Sequence, residues 1–338
     1  MKALQIIEQG KIVLTDIPRP VVQVDEVLVK IRYVGFCGSD LNTWLGKNPL
    51  AKMPVIPGHE IGGIIEALGE NVPKHLVAGM SCTVNPYTAC DSCTSCRNGR
   101  PNACRYNQTF GVQRDGAMCE FISVPWKKVI ADADITPKHF CLVEPLSVGF
   151  HAVERGGVSD LDTVMVLGCG MIGVGAIVRS ALRGARVIAV DVDDEKLKLA
   201  KQLGAAFTIN STTENLHDRV MTITNDFGID VVIEAVGMPE TYRIAINETA
   251  FTGRVVFIGY AKNEISFDTK LFVQKELDVR GSRNAMPEDF RAVMEYIKKG
   301  NFPIDEMISG IYSVDKAQEV LENWSRNTGR VFRVLVEF

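Results

Sequence analysis

The sequence has no long apolar run and no large excess of charge of either sign. Its longest uncharged apolar stretch, 163–178, contains four glycines and is shorter than the ~20 residues that a membrane-spanning helix needs. Residues 1–10 also lack the long apolar segment of a secretory signal. The net charge is -4 and the two signs are interspersed, so the chain has no footprint for nucleic acid or an anionic membrane. We therefore expect a cytoplasmic protein whose partners are small molecules.

The length and composition are those of a globular protein with about two domains. The chain has 338 residues, of which 46% are hydrophobic and 23% charged. Residues 1–150 contain short apolar runs broken by glycine and proline, such as 27–34 and 61–68, and predict a β-rich, barrel-like domain. From about residue 162, buried strands alternate with helices, which predicts βαβ units and a parallel sheet. The predicted strands of this part are 163–167, 186–190, 231–235, 255–258 and a closing strand 330–338. The predicted helices end near 183, span 194–203 and span 287–299.

Four cysteines lie close together in the chain: Cys90, Cys93, Cys96 and Cys104. Thiolates are soft ligands that select zinc, and four of them complete the closed tetrahedral geometry of a structural site. The residues between them are polar and turn-forming, so a hydrophobic core cannot hold this segment. Two disulfides are the alternative, which the Cys-x2-Cys spacing and the lack of a secretory signal disfavour. We expect a zinc ion that stabilises the fold and takes no part in catalysis.

A glycine-rich turn follows the first buried strand of the parallel sheet. Gly168, Gly170 and Gly173 occupy a G-x-G-x-x-G pattern that opens a helix of small residues. Such glycines allow a tight turn and let backbone amides, here including those of Met171 and Ile172, reach a pyrophosphate at the helix N-terminus. The strand before the turn and the helix after it predict a dinucleotide site, with a plain packing turn as the alternative.

Asp191 ends the next predicted strand, where a carboxylate accepts hydrogen bonds from the adenosine ribose 2′-hydroxyl. The same carboxylate would repel a 2′-phosphate, and the following residue is Val192 rather than arginine. The sequence therefore favours NAD over NADP. A helix N-cap is the alternative role for Asp191, although Asp193 and Asp194 are better placed for it.

A thiolate, an imidazole and a carboxylate are available for a second metal site in Cys37, His59 and Glu144. Three protein ligands leave a fourth position for water or substrate, as in catalytic zinc sites. The residues alone leave a second interpretation open, because a lone cysteine and a lone histidine are more often core residues.

Together these motifs resemble those of the zinc-dependent medium-chain dehydrogenase/reductase family. The matching segments, in family order, are 35–40, 57–60, the four-cysteine segment, 144–145 and 168–173. The resemblance implies an α/β chain in which a GroES-like β-rich catalytic domain carries the zinc sites and a Rossmann domain with a doubly wound parallel sheet binds NAD. We expect these domains at 1–150 and 151–285, with 286–338 returning to the catalytic domain.

The resemblance assigns the catalytic zinc to Cys37 and His59. The third ligand varies within the family between the residues that match Glu60 and Glu144, and we expect both to lie in or beside the coordination sphere. Glu144 stands where a classical alcohol dehydrogenase has cysteine, which favours the polyol and sugar-acid branch of the family.

Three further positions have counterparts in the family. Ser39 matches a hydroxyl that hydrogen-bonds the substrate oxygen. Asn42 stands where the family commonly has a relay histidine and cannot relay a proton, so we expect the proton to leave through water beside one of the two glutamates. Lys196 matches a basic residue that contacts the adenosine part of the cofactor, with a solvated helix lysine as the alternative.

Within the family, the chain as a whole resembles the sorbitol, threonine and sugar-acid dehydrogenases. The segment 281–290 looks like that of the L-gulonate and L-galactonate 5-dehydrogenases. A sugar acid needs a cation for its carboxylate, and arginine suits a planar anion. Arg283 is the first candidate and Arg114 the second, whereas Asn284 is a candidate for binding hydroxyls. Trp44 is a candidate wall of the pocket. The alternatives are a cofactor or subunit contact for Arg283 and ordinary packing for Trp44.

The resulting hypothesis is a zinc-dependent oxidation of a secondary hydroxyl of an aldonate, such as L-gulonate or L-galactonate, with hydride transfer to NAD. The chain would hold two zinc ions, one catalytic and one structural. A dehydrogenase of a neutral polyol or threonine is the first alternative, and a catalytically retired NAD-binding protein is the second. The family also implies a homodimer or homotetramer, for which we expect contact along 255–277.

Overall fold

The computed structural model describes residues 1–300, 303–327, 329 and 331–338. The chain divides into two compact units, of which the first is discontinuous. The first unit comprises Met1–Glu144 and Phe290–Phe338, and the second comprises Pro145–Asp289. Within the described ranges, no helix is both long and apolar enough to cross a membrane.

The strands are numbered here in chain order. Their bounds are β1 Lys2–Glu8, β2 Lys11–Asp16, β3 Glu26–Phe36, β4 Glu60–Leu68, β5 Ser81–Val84, β6 Phe121–Pro125, β7 Val129–Ala131, β8 Thr163–Leu167, β9 Arg186–Asp191, β10 Phe207–Asn210, β11 Ile229–Glu234, β12 Thr249–Phe257, β13 Asp278–Gly281, β14 Ile308–Ser313 and β15 Arg333–Glu337.

The α-helices are numbered in the same way. Their bounds are α1 Gly38–Trp44, α2 Thr94–Arg97, α3 Pro137–Phe140, α4 Val143–Gly156, α5 Met171–Leu182, α6 Asp194–Gln202, α7 Leu216–Thr224, α8 Pro239–Glu248, α9 Lys270–Gln274, α10 Pro287–Lys298 and α11 Ala317–Arg326. Short 3₁₀ turns cover Pro101–Ala103, Trp126–Lys128, Ile304–Met307 and Val314–Lys316.

The first unit is organised around strand β3. In the part of the chain that the structure describes, seven strands form its main sheet, with β14, β15, β3, β4, β5 and β7 in that order and β6 paired with β3. Strand β15 runs antiparallel to β3, with Val334 opposite Phe36 and Leu335 opposite Gly35. The last segment of the chain therefore completes the sheet that the N-terminal part begins.

The second unit contains a parallel sheet. Among the described residues, its six strands lie in the order β10, β9, β8, β11, β12 and β13, and all adjacent pairs are parallel. The side chains of Val164, Met165 and Val166 in β8 are fully buried, as expected of a central strand covered on both faces. The winding direction reverses between β8 and β11, and ligands of such sheets bind at the carboxyl ends of the strands beside this reversal.

The α/β fold predicted from the sequence is confirmed, and most predicted elements differ from the observed ones only at their ends. Strand β8 has the predicted bounds, whereas β12 begins at Thr249, before the apolar run that signalled it. The closing strand β15 begins at Arg333. Its predicted first residue, Arg330, lies outside the described residues.

Candidate active site

Sheet pairing brings the predicted catalytic zinc ligands together. Cys37 follows directly after β3, and His59 directly precedes β4. These two strands are antiparallel neighbours with Gly35 opposite Glu60, so the end of one lies beside the start of the other. As a result, ligand atoms of Cys37, His59 and Glu60 all lie within 4.8 Å of one another.

Asp40 fixes the two loops that carry this group. Its side chain is fully buried. One carboxylate oxygen accepts a hydrogen bond from the Cys37 amide at 2.8 Å, and the other accepts one from the Gly58 amide at 3.2 Å. Asp40 lies in the motif 35–40, and no role was predicted for it from the sequence. An acidic residue in the first turn of a helix, three residues after its N-cap, is the signal that predicts such a contact.

Glu60 forms a buried ion pair with Arg333, a residue that the sequence analysis did not single out. The two side chains are 0% and 6% exposed, and Nε of Arg333 lies 2.9 Å from Oε2 of Glu60. This contact lacks the alignment of a hydrogen bond, and both atoms are without one among the described residues. Arg333 also donates from Nη1 to the carbonyl oxygen of Phe36 at 2.5 Å. Arg333 is the first residue of β15 and stands in no sequence motif, so the sequence offered no signal for this contact.

Burial and neighbouring charges shift the pKa values of all three residues. Burial raises the pKa of Glu60 well above its ordinary value, and the charge of Arg333 only partly offsets it. Burial also raises the pKa of the Cys37 thiol, but the neighbouring His59 outweighs it and brings the pKa of Cys37 to about 7. Burial lowers the pKa of His59, yet the Cys37 thiolate more than reverses this and raises that pKa well above its usual value.

The donor set fits a zinc ion. Sulfur, imidazole nitrogen and carboxylate oxygen are the ligands of catalytic zinc, and three of them leave a position open. Nδ1 of His59 and both carboxylate oxygens of Glu60 are buried without a hydrogen-bond partner in the described part of the chain. Buried polar atoms are rarely left unpaired, so unpaired ligand atoms on two adjacent residues indicate a bound cation.

Glu144, the other predicted carboxylate ligand, lies outside the 4.8 Å group. It is 5% exposed, and its Oε1 accepts a hydrogen bond from the hydroxyl of Tyr87. Its charge is nevertheless near enough to contribute to the raised pKa of His59, after larger effects from burial, Cys37 and Asp40. No sequence signal pointed to Tyr87, whose own pKa is raised well above its usual value by burial and by this carboxylate.

Two side chains of helix α1 have buried polar atoms without a hydrogen bond. Oγ of Ser39 and Nε1 of Trp44 are buried, and neither has a hydrogen-bond partner in the described ranges. Ser39 lies two residues after Cys37 in helix α1, whereas Trp44 ends that helix and packs within the hydrophobic core of the unit. The Ser39 hydroxyl thus has no partner in the described ranges and follows the candidate metal ligand Cys37 by two residues.

The four cysteines also converge. The sulfur atoms of Cys90, Cys93, Cys96 and Cys104 all lie within 4.8 Å of one another, and no pair is joined by a disulfide. The sulfur of Cys93 lies 3.5 Å from that of Cys96 and 3.8 Å from that of Cys104. Four sulfurs placed about 2.3 Å from a zinc ion would be about 3.8 Å apart, so the spacing fits tetrahedral zinc.

Backbone amides support the cysteine cluster. The amide of Cys93 donates to the Cys90 sulfur, and the amide of Tyr106 donates to the Cys104 sulfur, each at 3.3 Å. Hydrogen bonding with the Ser95 hydroxyl lowers the pKa of Cys93 to about 5. Contacts of this kind favour thiolates, which are the form that binds a metal.

In the second unit, the glycine-rich turn lies where β8 ends and α5 begins. A Cβ atom added to Gly173 would lie 1.8 Å from the carbonyl oxygen of Gly168, so a larger residue would push the helix away from the strand. Gly170 is the N-cap of α5, which continues with Met171 and Ile172. The amides of this helix N-terminus are the groups that bind a pyrophosphate in such turns.

Asp191 connects the glycine-rich turn to the end of β9. One of its carboxylate oxygens accepts a hydrogen bond from the Cys169 amide at 2.6 Å, and the other accepts from the amides of Val192 and Asp193. The N-cap of α6 is Asp193, which accepts from the Lys196 amide at 3.1 Å. Asp191 is therefore not a helix cap, and its carboxylate lies beside the turn.

The candidate substrate residues fall in different units. Arg114 and Trp44 belong to the first unit, which also holds the metal ligands, whereas Arg283 and Asn284 belong to the second. Arg283 and Asn284 are both half-buried, and Asn284 has a left-handed backbone with φ of 53°.

Comparison with known proteins agrees with this geometry. The model of the alcohol dehydrogenase GroES-like domain matches residues 23–134, and that of the zinc-binding dehydrogenase matches residues 172–299. The chain is 32% identical over 314 residues to L-galactonate-5-dehydrogenase of Escherichia coli K12, covering 93% of this chain and 92% of the relative. The chain belongs to the zinc-dependent medium-chain dehydrogenase/reductase family.

Solved structures of the family extend the comparison. Galactitol-1-phosphate dehydrogenase from Escherichia coli superposes with a TM-score of 0.92 at 27% identity, covering all of both chains. The alcohol dehydrogenase rspB from Escherichia coli CFT073, in complex with NADH, gives a TM-score of 0.91 at 26% identity and covers 100% of this chain and 99% of that one.

Family membership confirms the enzyme class predicted from the sequence. The protein is a zinc-dependent dehydrogenase of the polyol and sugar class that uses a nicotinamide dinucleotide.

Proposed function

We propose that the protein oxidises a secondary hydroxyl of an aldonate, such as L-gulonate or L-galactonate, to a keto acid and passes the hydride to NAD. The observation that carries this proposal is the convergence of Cys37, His59 and Glu60 where β3 ends and β4 begins. The choice of an aldonate is supported by the similarity to L-galactonate-5-dehydrogenase over 93% of the chain.

In this proposal, Cys37, His59 and Glu60 hold the catalytic zinc ion, with Glu144 nearby as the alternative carboxylate. A zinc ion bound by these residues supplies a Lewis acid that lowers the pKa of a substrate hydroxyl. The structural zinc ion belongs to the four-cysteine cluster, whose closed ligand set leaves no position for substrate.

The residues of the chain orient the substrate and move its proton. Ser39 is assigned to the substrate hydroxyl because its Oγ is buried, lies two residues after the proposed metal ligand Cys37 in sequence, and has no partner among the described residues. Asn42 cannot accept a proton, so the Ser39 hydroxyl accepts the substrate proton while it gives its own to water beside Glu60 or Glu144.

The cofactor is assigned to the second unit. Its pyrophosphate is bound by the turn that comprises Gly168, Gly170, Met171, Ile172 and Gly173. The adenosine ribose is bound by Asp191, with Lys196 in the first turn of α6 beside it. A carboxylate next to the ribose repels a 2′-phosphate, which is why we propose NAD rather than NADP.

Formation of NADH from L-galactonate, L-gulonate, galactitol and threonine tests this function. We expect a kcat/KM for an aldonate at least about 10-fold above that for galactitol, which lacks a carboxylate, and above that for threonine, which has a shorter carbon chain and an ammonium group. We also expect a preference for NAD over NADP. Removal of the catalytic zinc should stop turnover. Turnover of galactitol or threonine alone would support the neutral-substrate alternative. If none of the four compounds is oxidised while the protein still binds NADH, the result would support the alternative of a catalytically retired NAD-binding protein.

We also propose that the protein is a homodimer or homotetramer joined through the exposed edge of the parallel sheet. Strand β13 pairs only with β12 among the described strands, and Val273, Phe251 and Val279 nearby are 82%, 69% and 48% exposed. An unpaired strand edge beside exposed apolar side chains is a surface that association with a second subunit would bury. Light scattering should give at least twice the chain mass of 37.2 kDa, and Val279→Lys should shift the mass toward the monomer. A wild-type mass of one chain would contradict this.

A further inference from the structure

We propose that Arg114 binds the terminal anion of the substrate. This inference rests on the proposed function, because it concerns the substrate of the same metal site. The anion is a carboxylate or a phosphate at the end of a polyol chain. In this proposal Arg114, and not Arg283, is the residue that sets the preference for charged substrates.

The segment that carries Arg114 packs directly against the segment that carries His59. Cβ atoms added to Gly111 and Gly116 would lie 2.4 Å from backbone atoms of Gly58, so the two backbones are in close contact. The Gly116 amide donates to the carbonyl of Ile56 at 2.7 Å, and the Ala117 amide donates to that of Gly58 at 2.9 Å. The position of Arg114 is therefore fixed relative to the metal ligand.

The other side of this segment contacts the loop that carries Tyr87. The Phe110 amide donates to the carbonyl of Pro86 at 3.2 Å, and the next residue, Tyr87, donates its hydroxyl to Glu144. The ammonium of Lys128 donates to the carbonyl of Tyr87 at 2.6 Å. The segment of Arg114 thus lies between the loop of His59 and the loop of Tyr87, and Lys128 is hydrogen-bonded to the second of these loops.

Arg114 is oriented but has no polar partner. Its guanidinium carbon lies 4.0 Å from the centre of the Phe110 ring, a stacking contact that holds the planar group in one orientation. Nε is buried without a hydrogen bond, and no ion pair of Arg114 occurs among the described residues. A half-buried guanidinium without an acceptor costs free energy that an anionic ligand would recover.

Lys128 adds a second positive charge. Burial lowers the pKa of Lys128, and the charge of Arg114 lowers it further, whereas Asp91 acts in the opposite direction. Burial likewise lowers the pKa of Arg114. Two cations that are partly buried and repel each other form a site that an anion stabilises, which supports the assignment made from the geometry.

The test compares three compounds with the zinc-loaded enzyme: L-galactonate, galactitol 1-phosphate and the uncharged galactitol. Arg114→Met should raise KM for the preferred anion by about 30-fold or more and leave the KM for galactitol nearly unchanged, since a hydrogen bond to a charged group is lost. Arg114→Lys should recover only part of this, because lysine cannot bind a planar anion through two donors. The two anions distinguish a carboxylate from a phosphate ligand.

A matched control is available in the same unit. Arg19 also stacks on a phenylalanine, with its guanidinium carbon 4.0 Å from the ring centre of Phe121, but it is exposed and paired with Glu66. Arg19→Met should leave every KM unchanged. Equal losses for charged and neutral compounds in Arg114→Met, or no loss at all, would overturn the proposal.

Calorimetric titration separates this proposal from the proposed function. If the wild-type enzyme turns over none of the three compounds but binds an anion, and Arg114→Met loses that binding, the anion site stands and the proposed reaction fails. If the wild-type enzyme oxidises galactitol and binds neither anion, the anion site is wrong while the dehydrogenase chemistry survives.

Discussion

Cys37→Ala is expected to lower kcat/KM by at least about 1,000-fold and to reduce the zinc content from about two ions to about one per chain. The substitution removes the thiolate from the group that Cys37, His59 and Glu60 form within 4.8 Å. A metal that polarises the substrate oxygen contributes several kcal/mol of transition-state stabilisation, and about 4 kcal/mol corresponds to this loss. NADH formation and metal analysis by mass spectrometry measure both effects.

Cofactor binding should survive this substitution. The glycine-rich turn and Asp191 belong to the second unit, so NADH should still bind Cys37→Ala with a dissociation constant within about threefold of the wild-type value. The matched control is Cys82→Ala. Cys82 is a fully buried cysteine of β5 in the same unit, and burial raises its pKa to about 12, which suits a neutral core residue. It should keep both zinc ions and nearly full activity. Comparable losses in the two variants would show that Cys37 is a core residue and not a ligand.

Local patterns in the sequence were enough to predict the cofactor turn. The strand β8, the three glycines and the helix α5 are contiguous, so their hydrophobic pattern and turn residues are read without knowledge of the rest of the chain. The same holds for the four cysteines, which lie within one short segment. The structure adds the hydrogen bond from the Cys169 amide to the Asp191 carboxylate. This bond connects the turn after β8 with the end of β9, a contact that the sequence did not predict.

Contacts between distant parts of the chain could not be predicted in this way. Arg333 reaches Glu60 because β15 pairs with β3 and β3 pairs with β4, and the pairing partners of a strand are set by the whole sheet. The hydroxyl of Tyr87 reaches Glu144 across 57 residues for a similar reason. Neither Arg333 nor Tyr87 stands in a recognisable motif. The residues proposed to hold the metal and the cofactor are thus predictable from their motifs, whereas the buried partners Arg333 and Tyr87 are not.

Cys96→Ser is expected to release one zinc ion and to make the cysteine segment at least about 100-fold more sensitive to trypsin. Within 90–106, only Asn102 and Cys104 are buried, and none of these residues belongs to the hydrophobic core of the unit. Metal coordination therefore supplies most of the free energy that keeps the segment closed. A hundredfold increase corresponds to about 3 kcal/mol of lost opening free energy when cleavage follows transient opening. Cleavage should occur after the exposed Arg97 and Arg105, as measured by mass spectrometry, whereas the bond after Arg100 resists trypsin because Pro101 follows it.

The rest of the molecule should remain folded in this variant, because the core residues of β3, β4 and β15 do not depend on the cysteine segment. Ser92→Ala is the control within the segment: the Ser92 hydroxyl lies 3.5 Å from the Cys90 sulfur but is not a ligand, so protease resistance should be retained.

The disulfide alternative makes an opposite prediction for the wild-type protein. If zinc holds the segment, a strong chelator opens it and a reductant alone does not. Opening by the reductant alone, with the metal content unchanged, would show that disulfides hold the segment and that the sulfur spacing of 3.5 to 3.8 Å does not reflect a metal site.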